Sequence, residues 1–336
     1  MSESIKTALV GFGKAGEFLH APFIKNNPSF ELIKIVERTP KLAAVAYPHA
    51  EIVRSYDDVL TDSAIELIVL TTPNETHASL AEHALLAGKH VVVDKPFTIY
   101  EADAKRLQKL SIKTGKYIFV YQNRRWDGDF LTVQKILKEK LLGEIISIES
   151  RFDRYRPEPR TTYWKESAVF GNGLWYDLGP HLMDQAFQLF GQPKSYVADI
   201  KKQRVGAVGI DYFDVTFKYD ACTYTIHAGM LEKEATPRWF IKGTQGMYTK
   251  QGVDPQEACL NAGDLPIGNN WGIEDPKYFG KIELLDGQTI FYPTLAGDYG
   301  KFYQGVHETI RNDARPLISL SDAVELVGWL QRLGNV

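Results

Sequence analysis

Short apolar runs punctuate the first part of the chain, each closed by polar or turn-forming residues. Thr7–Val10, Leu32–Val36, Ile52–Val53, Leu67–Thr71, His90–Val93 and Tyr117–Tyr121 read as strands. Between them lie helical patterns: one after Gly11 with Phe18, Leu19 and Phe23 among its apolar positions, one near Lys41–Tyr47, then Thr76–Ala87 and Glu101–Lys113. Gly88 and Gly115 stand where helix C-terminal caps are expected. Continuous apolar strands alternating with helices predict a parallel sheet covered on both faces, the doubly wound α/β (Rossmann) class.

Past Gln122 the period changes from continuous to alternating. Phe213, Val215, Phe217 and Tyr219 alternate with Tyr212, Asp214, Thr216 and Lys218, and Cys222–Leu231 alternates too. Ile145–Tyr155 is long and extended, and Trp239–Lys242 precedes a turn at Gly243–Gly246. This pattern predicts a large, open, mostly antiparallel sheet with helices, one face on a core and one toward solvent or a partner. The expected division is 1–122 for the dinucleotide-type domain and 123–336 for a substrate-binding and oligomerisation domain. Gly252–Lys281, rich in Gly, Pro and Asn, reads as an irregular excursion.

The chain has 336 residues, 44% hydrophobic and 24% charged, with net charge −3. These are ordinary globular values. No basic run offers the concentrated positive field that nucleic acid needs. Apolar runs such as Ile65–Leu70 are too short to span a bilayer, and the N-terminus carries no signal-peptide pattern. A cytoplasmic location is expected. Cys222 and Cys259 form neither a disulfide framework nor a zinc spacing, and His20, His83, His227 and His307 have no metal-ligand spacing, so no metal is expected. A Gly-x-Ser-x-Gly nucleophile turn is absent.

The candidate chemistry begins with Gly11-Phe12-Gly13-Lys14-Ala15-Gly16, a G-x-G-x-x-G between the first strand and the first helix. The first glycine permits the tight turn, the second lets backbone approach a pyrophosphate, and the third lets helix pack on strand. Glu37 ends the second strand, where a carboxylate can accept from both adenosine ribose hydroxyls and repel a 2′-phosphate. That favours NAD. Arg38 beside it can pair with such a phosphate, which leaves NADP open.

Asp94-Lys95-Pro96 puts a lysine at the carboxyl end of the fifth strand, the ligand-binding edge of an open α/β sheet. A lysine there can stabilise an alkoxide. In Tyr176-Asp177-Leu178-Gly179-Pro180-His181, Pro180 suits the first turn of a helix running to Phe190, with Asp177 and His181 on either side of its entry. Histidine can take a hydroxyl proton as a hydride leaves the carbon. Taken singly, these residues read better as a surface lysine, an N-capping aspartate and a satisfied histidine at a helix start.

Together, the glycine loop, Thr72-Pro73-Asn74-Glu75-Thr76-His77, Asp94-Lys95-Pro96, and Asp177 with His181 resemble the Gfo/Idh/MocA family of oxidoreductases over essentially the whole chain. His20-Ala21-Pro22, Tyr121–Asp127, Phe152–Pro157 and Asp211-Tyr212-Phe213 resemble the branch that contains an NADP-dependent scyllo-inositol dehydrogenase. The resemblance implies an NAD(P)-dependent enzyme acting on the CH–OH group of a polyol, cyclitol or sugar. It assigns Lys95, Asp177 and His181 to catalysis. Thr71, Thr72, Pro73, Asn74, His77, Asp94 and Asn123 would join the glycine loop at the cofactor. Arg125, Trp126, Arg154, Tyr155, Tyr163 and Trp164 would line the substrate pocket. Where the family usually has Glu before Lys-Pro this chain has Asp94, with the charge kept and the reach shortened. A homodimer or higher homo-oligomer is implied. Two other functions occur on this fold: an NAD-assisted glycosidase and a non-catalytic nucleotide or sugar sensor.

Overall fold

The computed structural model describes residues 3–38, 42–160 and 163–335. Lys41, at the start of the second expected helix, lies outside them; the described helix there is Leu42–Ala46.

The chain packs as two compact units, and packing does not follow the sequence in two contiguous pieces. One unit draws on Met1–Asn123, Gln256–Asn270 and Tyr299–Gly328; the other on Arg124–Pro255, Trp271–Asp298 and Trp329–Val336. The supposed excursion after Gly252 therefore contains a real helix, Gln256–Ala262, which packs on the helical turns Ala15–His20 of the first unit. Its polar composition hides it, because Gln256 and Leu260 are the residues it buries.

The first unit is built on six parallel strands: β1 Ile5–Val10, β2 Phe30–Val36, β3 Glu51–Val53, β4 Leu67–Leu70, β5 His90–Val93 and β6 Ile118–Val120. Their order is β3-β2-β1-β4-β5-β6. Chain direction of sheet growth reverses between β1 and β4, so their carboxyl ends open a crevice there. The strands read as continuous apolar runs because both faces are covered. Every residue of Leu67–Leu70 and all of Val91–Val93 are buried. Helices His77–Leu86 and Glu101–Thr114 supply Ala81, Ala84, Leu85, Ala104 and Leu107 to this core, and Ala323, Val324 and Val327 join it from the last helix. Gly88 and Gly115 end their helices with positive φ of 74° and 66°, as the sequence suggests.

The second unit is built on eight strands: β7 Ile145–Arg151, β8 Ser195–Lys201, β9 Tyr212–Lys218, β10 Thr223–Ala228, β11 Trp239–Gly243, β12 Gly246–Lys250, β13 Gly280–Leu284 and β14 Thr289–Tyr292. Their order is β14-β13-β12-β11-β7-β10-β9-β8, antiparallel except where β10 runs parallel to β7. Alternation is realised as read: Phe213, Val215 and Phe217 are fully buried. Their neighbours face the other side, where Thr216 and Thr225 hydrogen-bond across strands at 2.9 Å. The long helix Gly173–Phe190 packs on β9 and β10.

That helix corrects a sequence expectation. It starts at Gly173, so Pro180 lies inside it and not in its first turn. Gly173 starts it at φ +86°, with Ile210 backbone so close that a side chain would collide. The Leu174 amide donates to the Ile210 carbonyl at 2.7 Å. Proline removes the amide that would bond the Tyr176 carbonyl and crowds that carbonyl. The helix persists because its walls are packed: Trp175 is fully buried and T-shaped against Phe213, its indole N–H donating to the Leu330 carbonyl at 2.9 Å. Gly179 leaves room for the Trp175 ring, which a Cβ would approach to 3.0 Å.

Candidate active site

The candidate side chains fall into one group in each unit. In the first unit they gather at the carboxyl ends of β1, β4 and β5. Gly11 takes φ +97°, a conformation only glycine adopts cheaply, and its amide donates to the Val36 carbonyl at 3.1 Å. Thr71 locks the turn, its hydroxyl donating to the Gly11 carbonyl at 2.8 Å. A Cβ on Gly16 would strike the Gly11 carbonyl oxygen, so the third glycine is required by helix–strand approach. Gly13 differs: nothing of the protein lies within 4 Å of where its Cβ would stand. Gly13 and Lys14 are exposed, Ala15 is half-buried, and Phe12 is buried edge-on to Tyr47 with ring centroids 5.7 Å apart. The open space at Gly13, beside a helix start, is the feature a pyrophosphate requires, so these residues fit a dinucleotide.

Glu37 occupies its expected place at the end of β2 but faces inward. It is 6% exposed, and its two carboxylate oxygens accept the Leu42 and Ala43 amides at 3.1 and 3.3 Å. It therefore caps the helix Leu42–Ala46. Arg54 donates to the Glu37 carbonyl. Arg38, next in sequence, is exposed.

His77 joins two loops. Its ring nitrogens lie 2.9 Å from the Thr72 carbonyl oxygen and 2.8 Å from the Pro96 carbonyl oxygen. It thereby fixes the chain after β4, with Thr71, Thr72, Pro73 and the short turn Asn74–Thr76, against the chain after β5. Asp94 accepts the Lys95 amide at 2.8 Å, and the Lys95–Pro96 peptide is cis. Behind Asp94 lies fully buried His20, its Nε2 3.8 Å away and its Nδ1 2.7 Å from the Tyr303 hydroxyl. Burial opposes ionisation of Asp94. The His20 ring and the charges of Lys95 and His77 outweigh it and hold the carboxyl below the usual carboxylate range. Lys95 is half-buried and Asn123 is buried.

The second unit's group lies along one face of the helix Gly173–Phe190. Asp177, His181 and Asp184 recur at helical spacing, so all three share a face. One oxygen of Asp177 accepts the Lys165 ammonium at 2.8 Å, and the other lies 3.9 Å from Arg154 Nη1. His181 is 4% exposed. Asp184 takes both prongs of Arg125, at 2.8 and 2.7 Å. This bidentate pair, with both side chains 9% exposed, commits the Arg125 guanidinium to the helix face. Asp184 is absent from the sequence reading; a helix started at Gly173 would have shown it in the stripe of Asp177 and His181.

The remaining pocket candidates separate. Arg154 and Tyr155 alternate along an extended stretch, so they project to opposite sides. Tyr155, 53% exposed, bridges to Leu231. Tyr163 stacks under Arg160, whose guanidinium carbon is 4.2 Å from the ring centroid. Trp164 is 41% exposed, with the Lys165 ammonium 5.6 Å from its ring. Trp126 closes the short helix Asn123–Trp126, its carbonyl accepting the Asp298 amide at 3.1 Å.

Residues 5–122 match the oxidoreductase family described by its NAD-binding Rossmann fold, and residues 134–333 match that family's C-terminal alpha/beta domain. The chain belongs to the Gfo/Idh/MocA oxidoreductase family. Among its relatives, the uncharacterized oxidoreductase YdgJ of Escherichia coli is 38% identical over 98% of this chain and 96% of its own length. The scyllo-inositol 2-dehydrogenase (NADP(+)) IolW of Bacillus subtilis is 32% identical over 97% and 91%. A solved oxidoreductase structure from Bacteroides fragilis superposes with TM-score 0.87 at 42% identity, covering 98% of both chains. As a Gfo/Idh/MocA protein the chain is a nicotinamide-dependent dehydrogenase or reductase acting on a small molecule. No helix among the described residues is long and apolar enough to cross a membrane.

Proposed function

We propose that this enzyme oxidises a secondary alcohol of a polyol, cyclitol or sugar, or reduces the corresponding ketone. The observation that carries the reading is the Asp177–His181 stripe, a buried imidazole one helical turn from a carboxylate that is itself held by Lys165. A bound oxidised nicotinamide supplies the hydride acceptor. His181 takes the hydroxyl proton as the C–H bond breaks and the carbon becomes a carbonyl, and Lys95 donates a hydrogen bond to its oxygen. Asp177 orients the substrate or the imidazole. Similarity to the scyllo-inositol 2-dehydrogenase IolW supports a cyclitol or related polyol as the substrate class.

We infer dual use of NAD and NADP. Glu37 spends its carboxylate on a helix cap, which weakens its repulsion of a 2′-phosphate, and exposed Arg38 is suited to such a phosphate. The open face of the second unit's sheet, with Val197 60% and Phe291 72% exposed, supports a homo-oligomer.

The test is the Lys95→Ala and His181→Ala pair, assayed for cofactor reduction and separately for cofactor binding. Each variant is expected to bind cofactor and to lose on the order of 10²-fold or more in kcat/KM. Near-normal turnover in either removes that residue from the chemistry.

A further inference from the structure

We propose that the substrate carries an anionic group, a carboxylate or a phosphate, and that Arg154 and Arg156 hold it. This deepens the polyol reading above and rests on it.

The chain after β7 stays extended, with the Arg154 amide donating to the Gly229 carbonyl at 3.0 Å and the Arg156 amide to the Met230 carbonyl at 2.7 Å. Residues two apart on an extended chain share a side, so Arg154 and Arg156 project together, away from Tyr155. Arg154 reaches toward Asp177, 3.9 Å away, which places this side by the helix face that carries His181.

Three nearby carboxylates are already engaged. Glu166 accepts Arg160 Nε at 2.9 Å and Arg204 Nη2 at 2.8 Å. Asp211 is taken by Arg204 Nε at 2.8 Å and by the amides of Gln203 and Arg204. Asp177 is taken by Lys165 at 2.8 Å. No carboxylate of the described residues forms an ion pair with Arg156, while Arg154 and Arg160 crowd it with like charge. Although Arg156 is exposed, partial desolvation and those two charges outweigh the opposing pull of Glu166 and Tyr163 and set its guanidinium below the usual arginine range. The surplus of positive charge is local, because the whole chain carries net charge −3.

A neutral polyol does not compensate two guanidiniums. A carboxylate or phosphate does, through charge-assisted and bidentate hydrogen bonds. The hydroxyls of such a molecule remain for His181, so the oxidised carbon and the anionic group are different parts of one substrate.

The test uses matched neutral and anionic compounds: glucose against gluconate, glucuronate and glucose 6-phosphate, and an inositol against its monophosphate. Cofactor reduction is measured with the wild type, Arg156→Gln and Arg156→Lys. The proposal expects an anionic member to exceed its neutral partner by about 10-fold or more in kcat/KM, with KM rising as salt is added. The anionic-to-neutral ratio should fall about 10-fold in Arg156→Gln and recover in part in Arg156→Lys. Carboxylates and phosphates in the panel separate the two sources of charge. Neutral members preferred, with the ratio unmoved in Arg156→Gln, overturn this inference and leave the dehydrogenase reading standing. Calorimetric titration of the protein saturated with reduced cofactor, using gluconate and inorganic phosphate against inositol, reads binding without turnover. Binding of neither anion there overturns the proposal as well.

Discussion

Asp177 and His181 stand one turn apart on the same face of a single helix, with Pro180 between them inside it. Helix geometry thus puts the carboxylate and the imidazole on one side of the helix, and Asp177 also anchors Lys165 at 2.8 Å. Asp177→Asn keeps the shape and removes the charge. It is expected to lower kcat/KM by about 10- to 100-fold while cofactor affinity holds, read by steady-state kinetics beside a cofactor titration. Unchanged kcat/KM would make Asp177 a structural residue only.

Gly13 and Gly16 make opposite predictions from one motif. Alanine at Gly16 must displace the Gly11 carbonyl or the helix, so Gly16→Ala should lower thermal stability and cofactor affinity together. Alanine at Gly13 meets no protein atom, so Gly13→Ala should unfold like the wild type and still lose cofactor affinity. Melting curves with and without cofactor check both. A Gly13→Ala variant that binds cofactor normally would show that the open space is not where the pyrophosphate lies.

Glu37 and Arg38 divide stability from specificity. Glu37→Gln leaves only one oxygen for two amides and should cost about 1 kcal/mol, seen as a lower Tm, with little change in the NAD-to-NADP ratio. Arg38→Ala should leave Tm alone and weaken NADP more than NAD. A Glu37→Gln variant with unchanged Tm and a reversed cofactor preference would restore the ribose-binding role read from sequence.

His90 gives the first unit an acid-sensitive point. Its Nδ1 accepts the Tyr117 amide at 3.0 Å, which requires that nitrogen unprotonated, and its ring stacks on Tyr117. Burial first, then the charge of Lys116, push its pKa down to about 4. The unfolded chain binds the proton near pH 6.5, so the unfolded form gains protons first as pH falls. Stability from this site is full above about pH 6.5 and is lost between there and about pH 4, at most on the order of 3 kcal/mol. Denaturant midpoints across that range, in wild type and His90→Gln, check this. A wild-type loss no steeper than the variant's would remove His90 as its source.

The fold was readable because both periods are undiluted: continuous burial in Val91–Val93, strict alternation in Tyr212–Lys218. The glycine loop and Lys95 stand after β1 and β5 where the sequence places them, because strand ends are fixed by the doubly wound fold. Three things were not readable. Proline at position 180 signals a helix start from local rules, yet Trp175 packing extends the helix back to Gly173. Glu37 has the sequence position of a ribose ligand, and only the Leu42 and Ala43 amides on its carboxylate show it as a cap. Asp184 and Arg125, 59 residues apart, meet only once the helix is folded.

The most direct measurement is the rise of reduced-nicotinamide absorbance when purified protein, with NAD or NADP, is offered inositols, aldoses and their acids and phosphates. The account predicts reduction with a narrow set of polyol-type substrates, abolished to within about 1% of wild type in Lys95→Ala although that variant still binds cofactor. Cofactor binding without reduction across the whole panel, or full activity in Lys95→Ala, would contradict it.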